Sequence, residues 1–142
     1  MNPIVSVIIT THARPHLVGR AVRSALGQTL EEIEVIVVQD GPDPDTLGVL
    51  NGIDDSRLQV VTLTARKGQA AAINHGMTQV RGEFVATLDD DDEWYAGKLA
   101  TQLQAARTSG VRIPLVGCYF LVTFEWGEQL RPLWPPAADE PA

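Results

Sequence analysis

The chain has 142 residues, 44% hydrophobic and 20% charged, which is enough for one buried core and one domain. Its formal net charge of −7 excludes the broad basic face that nucleic acids and anionic membranes require, so any anionic ligand must be met by local cations. Cys118 is the single cysteine, which excludes an intrachain disulfide and a thiolate metal cluster.

In chain order, "IVSVIIT" (residues 4–10) is an unbroken β-branched run and predicts a strand buried on both faces. "ARPHLVGRAVRSALGQT" then sets Leu17, Val18, Ala21, Val22, Ala25 and Leu26 at helical spacing behind Pro15. "IEVIVV" (residues 33–38) predicts a second buried strand, closed by the turn-rich "QDGPDPD". Leu47 and Leu50 mark a short helix entered through Pro44 and Asp45, and "LQVVTL" (residues 58–63) is the third strand. A helix over residues 69–80 offers Ala71, Ala72, Met77 and Val80 to the core, and Gly82 turns the chain into the fourth strand, "EFVATL" (residues 83–88). A helix over residues 96–108 and a fifth strand from 115 to about 124 follow; the latter carries Cys118 as a buried structural thiol.

Strand and helix alternate throughout, which predicts an α/β fold with a mostly parallel sheet and helices on both faces. The domain is expected over residues 1–134. The acidic, proline-rich tail "PPAADEPA" (residues 135–142) reads as disordered. No basic-then-apolar leader opens the chain, and the apolar run from Pro114 is short for a membrane span, so a cytoplasmic location, or the cytoplasmic face of a membrane in a longer parent, is expected.

Ligands of such sheets sit at the carboxyl ends of the strands, here residues 10–14, 39–42, 64–68 and 89–94. The last holds Asp89, Asp90, Asp91 and Asp92 in a row. Neighbouring carboxylates at about 4 Å repel by roughly 1 kcal/mol in water. Along an extended chain Asp89 and Asp91 share one side while Asp90 points away, and Asp92 adds an oxygen where the chain turns. Oxygen donors without His or Cys suit Mg²⁺ or Mn²⁺; a solvated acidic turn is the plainer alternative. "TTHARP" supplies the hydroxyls of Thr10 and Thr11, the His12 ring and the Arg14 fork, or else an ordinary strand-to-helix turn. Asp40 can accept from an imide N–H or a ribose hydroxyl, or be a turn aspartate. Arg66 and Lys67 precede a helix N-terminus that favours anions, or form a solvated basic pair.

The order and spacing of these segments resemble the nucleotide-binding half of a family 2 glycosyltransferase with the GT-A fold. "VSVIITTHARPHLVGRAVRSALGQT" is similar to the family's opening, a strand ending in P-T-Y-N-R, a helix and Q-T. "IEVIVVQDGPDPDT" resembles its E-V-I-V-V-D-D-G-S-x-D-x-T segment, and "GQAAAINHGMTQVRGEFVATLDDDDEW" its G-x-x-x-A-R-N-x-G…L-D-x-D-D stretch. The resemblance implies that Thr10 and His12 pack around the base, Asp40 accepts from it and Arg14 lies beside it. Arg66 or Lys67 would meet base or diphosphate, Asp91 and Asp92 would hold ribose and metal, and Asp89 opens the D-x-D motif, a site for Mn²⁺ or Mg²⁺.

The implied activity is inverting hexosyl transfer from a UDP- or dTDP-sugar to an acceptor hydroxyl. Gln39, His12 and Ile73 depart from the family pattern and leave base and sugar open. No acid after the fifth strand begins (Glu125, Glu128, Asp139, Glu140) stands in a recognisable base motif, so the general base is unassigned. The chain is expected to be truncated before the acceptor-binding half. A non-catalytic nucleotide-binding module predicts the same residues. A sugar-nucleotide pyrophosphorylase-like enzyme would need a Gly-rich loop that "TTHARP" lacks. Trp126 and Trp134 are candidates to cap an exposed edge or mediate a homo-oligomer.

Overall fold

The computed structural model describes residues 2–112, 114–117, 119–124 and 127–132. Cys118, Trp126, Trp134 and the tail at 135–142 lie outside them. The chain divides into two compact units, Met1–Leu99 and Ala100–Ala142.

The first unit is built on four parallel strands in the order β3-β2-β1-β4: β1 Val5–Thr11, β2 Ile33–Gln39, β3 Leu58–Thr62 and β4 Phe84–Asp89. β1 and β2 are central and buried along their whole length, as suits runs that are β-branched except at Ser6, Glu34 and Gln39. Their side chains alternate between two cores. Val5, Val7, Ile9, Val35 and Val37 pack with Val18, Ala21, Val22, Ala25 and Leu26 of helix α1 (Pro15–Leu26) and with Leu50 of α2 (Pro44–Asn51). Ile36 and Val38 face the opposite way, toward Leu63 and toward Ala72 of α3 (Gln69–Met77). Helices therefore cover both faces, as expected. α3 lies close to the sheet: a Cβ on Gly76 would stand 2.8 Å from Ile8 Cγ2, so only glycine fits there without displacement.

The strands register so that Thr10 lies beside both Val38 and Asp89, and Gln39 beside Thr11 and Thr62. The carboxyl ends of all four strands thus share one edge of the sheet.

Three expectations about the helices need correction. α3 ends at Met77, not at residue 80, because Thr78 turns back to bond the His75 carbonyl through both its N–H and its hydroxyl. Met77 is in consequence 45% exposed rather than in the core. α4 begins at Lys98, not 96: Ala96 O is taken by the Thr29 N–H, and Tyr95 O accepts from the Gln28 amide as well as from Lys98 N–H.

In the second unit, α4 continues to Thr108, and Gln102 Nε2 donates to Val116 O at 3.2 Å. The predicted fifth strand begins only at Tyr119, and residues 115–117 are not strand. β5 (Tyr119–Phe124) pairs antiparallel with β6 (Gly127–Pro132), the strand and hairpin that the run "GCYFLVTFEWGEQLR" suggests. Such a short connection can join antiparallel neighbours, whereas parallel ones need a long crossover. Among the described residues, no helix is long and apolar enough to cross a membrane.

Candidate functional site

The turn leaving β1 is shaped by Ala13, a non-glycine residue at φ 52°. That left-handed conformation directs His12 and Arg14 to opposite neighbours. His12 Nδ1–H donates to the Asp40 carbonyl at 2.7 Å, which ties the turn to the end of β2 and fixes the proton on Nδ1. Arg14 is the N-cap residue of α1 but makes no side-chain cap. Its Nη1 instead donates to Asp90 Oδ1 at 2.9 Å and to Asp91 Oδ2 at 3.0 Å. Thr11 Oγ1 is buried without a hydrogen-bond partner among the described residues.

Asp40 is 4% exposed, and both its carboxylate oxygens are engaged. Oδ1 accepts from the Lys67 N–H at 2.6 Å and Oδ2 from the Gly68 N–H at 2.8 Å. It therefore moors the loop after β3 to the end of β2 and sets the entry to α3. Gly68 is the N-cap of α3 at φ 91°, a conformation that costs glycine little. No side chain caps this helix start, which leaves its first N–H groups to other acceptors, and Gln69 Nε2 donates to Asp89 Oδ1 at 2.9 Å. Gln39, standing where the resembled family has an aspartate, is fully buried and neutral. Its amide donates to Asp43 O and accepts from the Thr62 hydroxyl.

At the end of β4 the chain turns at once, with Asp92 N–H donating to Asp89 O. Strand alternation stops at Asp89, so Asp90 does not point away; it turns in, 5% exposed, onto Arg14. The segment that follows runs down α1. Arg20 holds Glu93 at 2.6 Å and reaches Asp91 O at 3.4 Å. Ser24 Oγ accepts from Trp94 N–H, and Gln28 bridges Tyr95 O and Leu99 N–H. Arg20 and Ser24 lie four residues apart on α1 and Gln28 follows just past its C-cap, so the three line up along this segment. Lys98 Nζ sits 3.9 Å from the centroid of the Trp94 ring.

These strand ends enclose a cavity of about 380 Å³. Of the predicted residues Thr10, His12, Arg14, Asp40, Arg66, Asp89 and Asp91 line it, joined by Thr11, Gly68, Gln69 and Asp90. Lys67 contributes its backbone N–H to Asp40, and Asp92 stands outside the lining. Partial desolvation of the Asp92 carboxyl, then the charges of Asp91 and Asp89, push its pKa up. Four aspartates against two arginines leave the lining at a formal −2. No group of three or more His, Cys, Asp or Glu side chains is placed to hold a metal among the described residues. Mg²⁺-type sites typically use one or two carboxylates completed by substrate phosphates, however, and the exposed, all-oxygen Asp89 and Asp91 fit that pattern.

The sequence matches Glycosyl transferase family 2 over residues 6–139. It is 34% identical over 108 residues to the UDP-Glc:alpha-D-GlcNAc-diphosphoundecaprenol beta-1,3-glucosyltransferase WfaP of Escherichia coli, a match covering 76% of this chain and 43% of that protein. It is 36% identical over 107 residues to the GalNAc(5)-diNAcBac-PP-undecaprenol beta-1,3-glucosyltransferase of Campylobacter jejuni, covering 73% and 35% respectively. Among solved structures, the mannosyltransferase PcManGT from Pyrobaculum calidifontis, in complex with GDP-Man and Mn²⁺, superposes with a TM-score of 0.65 at 27% identity, over 73% of this chain and 32% of that one. S. aureus TarS 1-349 in complex with UDP-GlcNAc gives 0.62 at 28% identity, over 72% and 30%. The chain thus spans less than half the length of these relatives. With the parallel sheet, the strand-end site and these matches in agreement, the chain belongs to glycosyl transferase family 2 and has the GT-A fold of its structural neighbours.

Proposed function

We propose that residues 1–134 form the donor half of an inverting family 2 glycosyltransferase. It binds a nucleoside-diphosphate sugar, UDP- or dTDP-linked, through a divalent cation, for transfer to an acceptor hydroxyl on the cytoplasmic side. The observation that carries this is the convergence of the ends of β1, β2 and β4 and the loop after β3 on one cavity of about 380 Å³, within the usual range for small-molecule sites. WfaP is named for a UDP-Glc donor, and PcManGT holds GDP-Man and Mn²⁺, so related chains serve more than one base.

In this reading Thr10 and His12 flank the base. Asp40, whose carboxylate retains accepting capacity beyond the two backbone bonds, takes a base N–H. Arg66 and the uncapped N-terminus of α3 receive the phosphates. A lining at −2 repels a diphosphate, and Asp89 and Asp91 resolve that conflict by holding Mn²⁺ or Mg²⁺; Asp92, outside the lining, is close enough to interact with their charges. When bound, the metal supplies charge neutralisation and Lewis-acid stabilisation of the leaving diphosphate. The acceptor's base is not assigned: Glu125, Asp139 and Glu140 lie outside the described residues.

Calorimetric titration tests the proposal: UDP, dTDP and GDP, each with Mn²⁺ and after chelation, on wild type and Asp91→Ala. Metal-dependent binding that Asp91→Ala abolishes supports it. Binding indifferent to both chelation and the substitution overturns the metal assignment, and the absence of binding for all three nucleotides overturns the donor-site reading.

A further inference from the structure

We propose that Arg14 is a resident counter-cation of the acid turn, which competes with the divalent ion for Asp91 and thereby makes metal binding depend on the nucleotide. The inference rests on the donor-site reading and deepens it.

One nitrogen, Arg14 Nη1, sits between two carboxylates, 2.9 Å from Asp90 Oδ1 and 3.0 Å from Asp91 Oδ2. The two contacts are not equivalent. The Asp90 side chain is 7% exposed and that of Asp91 is 52% exposed. Asp90 has withdrawn from water, and separating it from Arg14 would leave a buried charge unpaired, which is costly. Asp91 keeps much of its hydration and exchanges partners cheaply. Asp90 is thus the lasting partner of Arg14, and Asp91 the exchangeable one.

The other neighbours do not substitute for Arg14. Arg20 spends its Nε on Glu93 and meets Asp91 only at the backbone carbonyl. Gln69 brings a neutral amide to Asp89. A divalent ion on Asp91 would lie about 2.0–2.1 Å from its ligand oxygens, in the space that Arg14 commands. It must loosen Arg14 or sit beside its charge. A diphosphate removes that penalty, because the Arg14 fork lines the same cavity and has further N–H donors to offer phosphate oxygens. Metal and nucleotide then bind with positive coupling, reciprocal by linkage.

The test is the affinity for Mn²⁺, read by the electron paramagnetic resonance of free Mn²⁺, without nucleotide and with UDP or GDP. Wild type is compared with Arg14→Gln, Arg14→Met and Arg14→Lys, each checked for folding by its thermal melt. Arg14 is about half exposed, so either neutral substitution suffices if the other fails to fold. The expected result is that loss of the positive charge tightens binding of Mn²⁺ alone about five- to tenfold and shrinks the gain produced by nucleotide, while Arg14→Lys restores the weaker wild-type affinity. Equal or weaker binding of Mn²⁺ alone by the neutral variants overturns the inference; the donor-site reading survives if wild type still binds Mn²⁺ with nucleotide. No Mn²⁺ binding by wild type with either nucleotide overturns both.

Discussion

Replacing Asp40 by asparagine keeps the side chain's shape and removes one of its two acceptors. In the native protein the carboxylate takes the N–H of Lys67 at 2.6 Å and of Gly68 at 2.8 Å. Hydrogen bonds to a charged group contribute about 1.5–3 kcal/mol each. Asparagine retains one, with a neutral acceptor, and turns its own NH₂ toward the other amide. The expected loss is about 2 kcal/mol, a factor of about 30 in the equilibrium for opening the loop at residues 64–68. Amide hydrogen exchange at Lys67 and Gly68 reads that opening directly, and urea denaturation reads the share that reaches global stability. Exchange at both amides within about threefold of wild type, with stability unchanged within about 0.5 kcal/mol, would refute the assignment of Asp40 as the mooring of this loop.

Glu34 gives a pH-dependent prediction. Burial pushes its carboxyl up, but hydrogen bonds from Ser6 Oγ and from the side chain and N–H of Arg81, together with the Arg81 charge, outweigh burial and hold its pKa below the ordinary value. A depressed folded pKa means that its stabilisation is complete above the ordinary carboxyl range and lost as pH falls through the lower folded value. Because Arg81 is largely exposed, Glu34→Gln is expected to cost about 1.5–3 kcal/mol near pH 7 and to flatten the acid limb of stability, checked by urea melts over a pH series. Ala13→Gly is expected to raise stability by about 0.5–1 kcal/mol, since alanine at φ 52° is strained where glycine is not; thermal melts that move down instead would contradict it.

The residues themselves explain which parts of the molecule could be read from the sequence. β1 and β2 announce themselves because burial on both faces favours runs dominated by β-branched residues. The acid turn, Asp40 and Arg14 stand out because polar groups at strand ends have few structural reasons to gather. What escaped notice depends on non-local bonds. The start of α4 is set by Gln28 and Thr29, far back on the chain, and the end of α3 by the Thr78 hydroxyl. Asp90 was misplaced because period-2 alternation was carried past the last strand residue, where the Asp92–Asp89 bond already turns the chain. Gln69 carries only a weak signal, its place one residue after a glycine at a helix entrance. The charge of Lys67 suggests a side-chain role, whereas the contact it makes to Asp40 is through its backbone N–H.

The stripe of Arg20, Ser24 and Gln28 has a consequence for how this protein tolerates change. Arg20 and Ser24 are polar positions of an amphipathic helix, the places where a protein engineer installs alanine or glutamate to strengthen a helix, and Gln28 is the buried residue just past its end. Here they hold the strap that descends from Asp91 to Leu99, so each such exchange slackens a tether whose other end is the acid turn. Ser24→Ala would improve local helix propensity while leaving Trp94 N–H without its acceptor. The outer face of α1 is therefore closed to routine surface redesign.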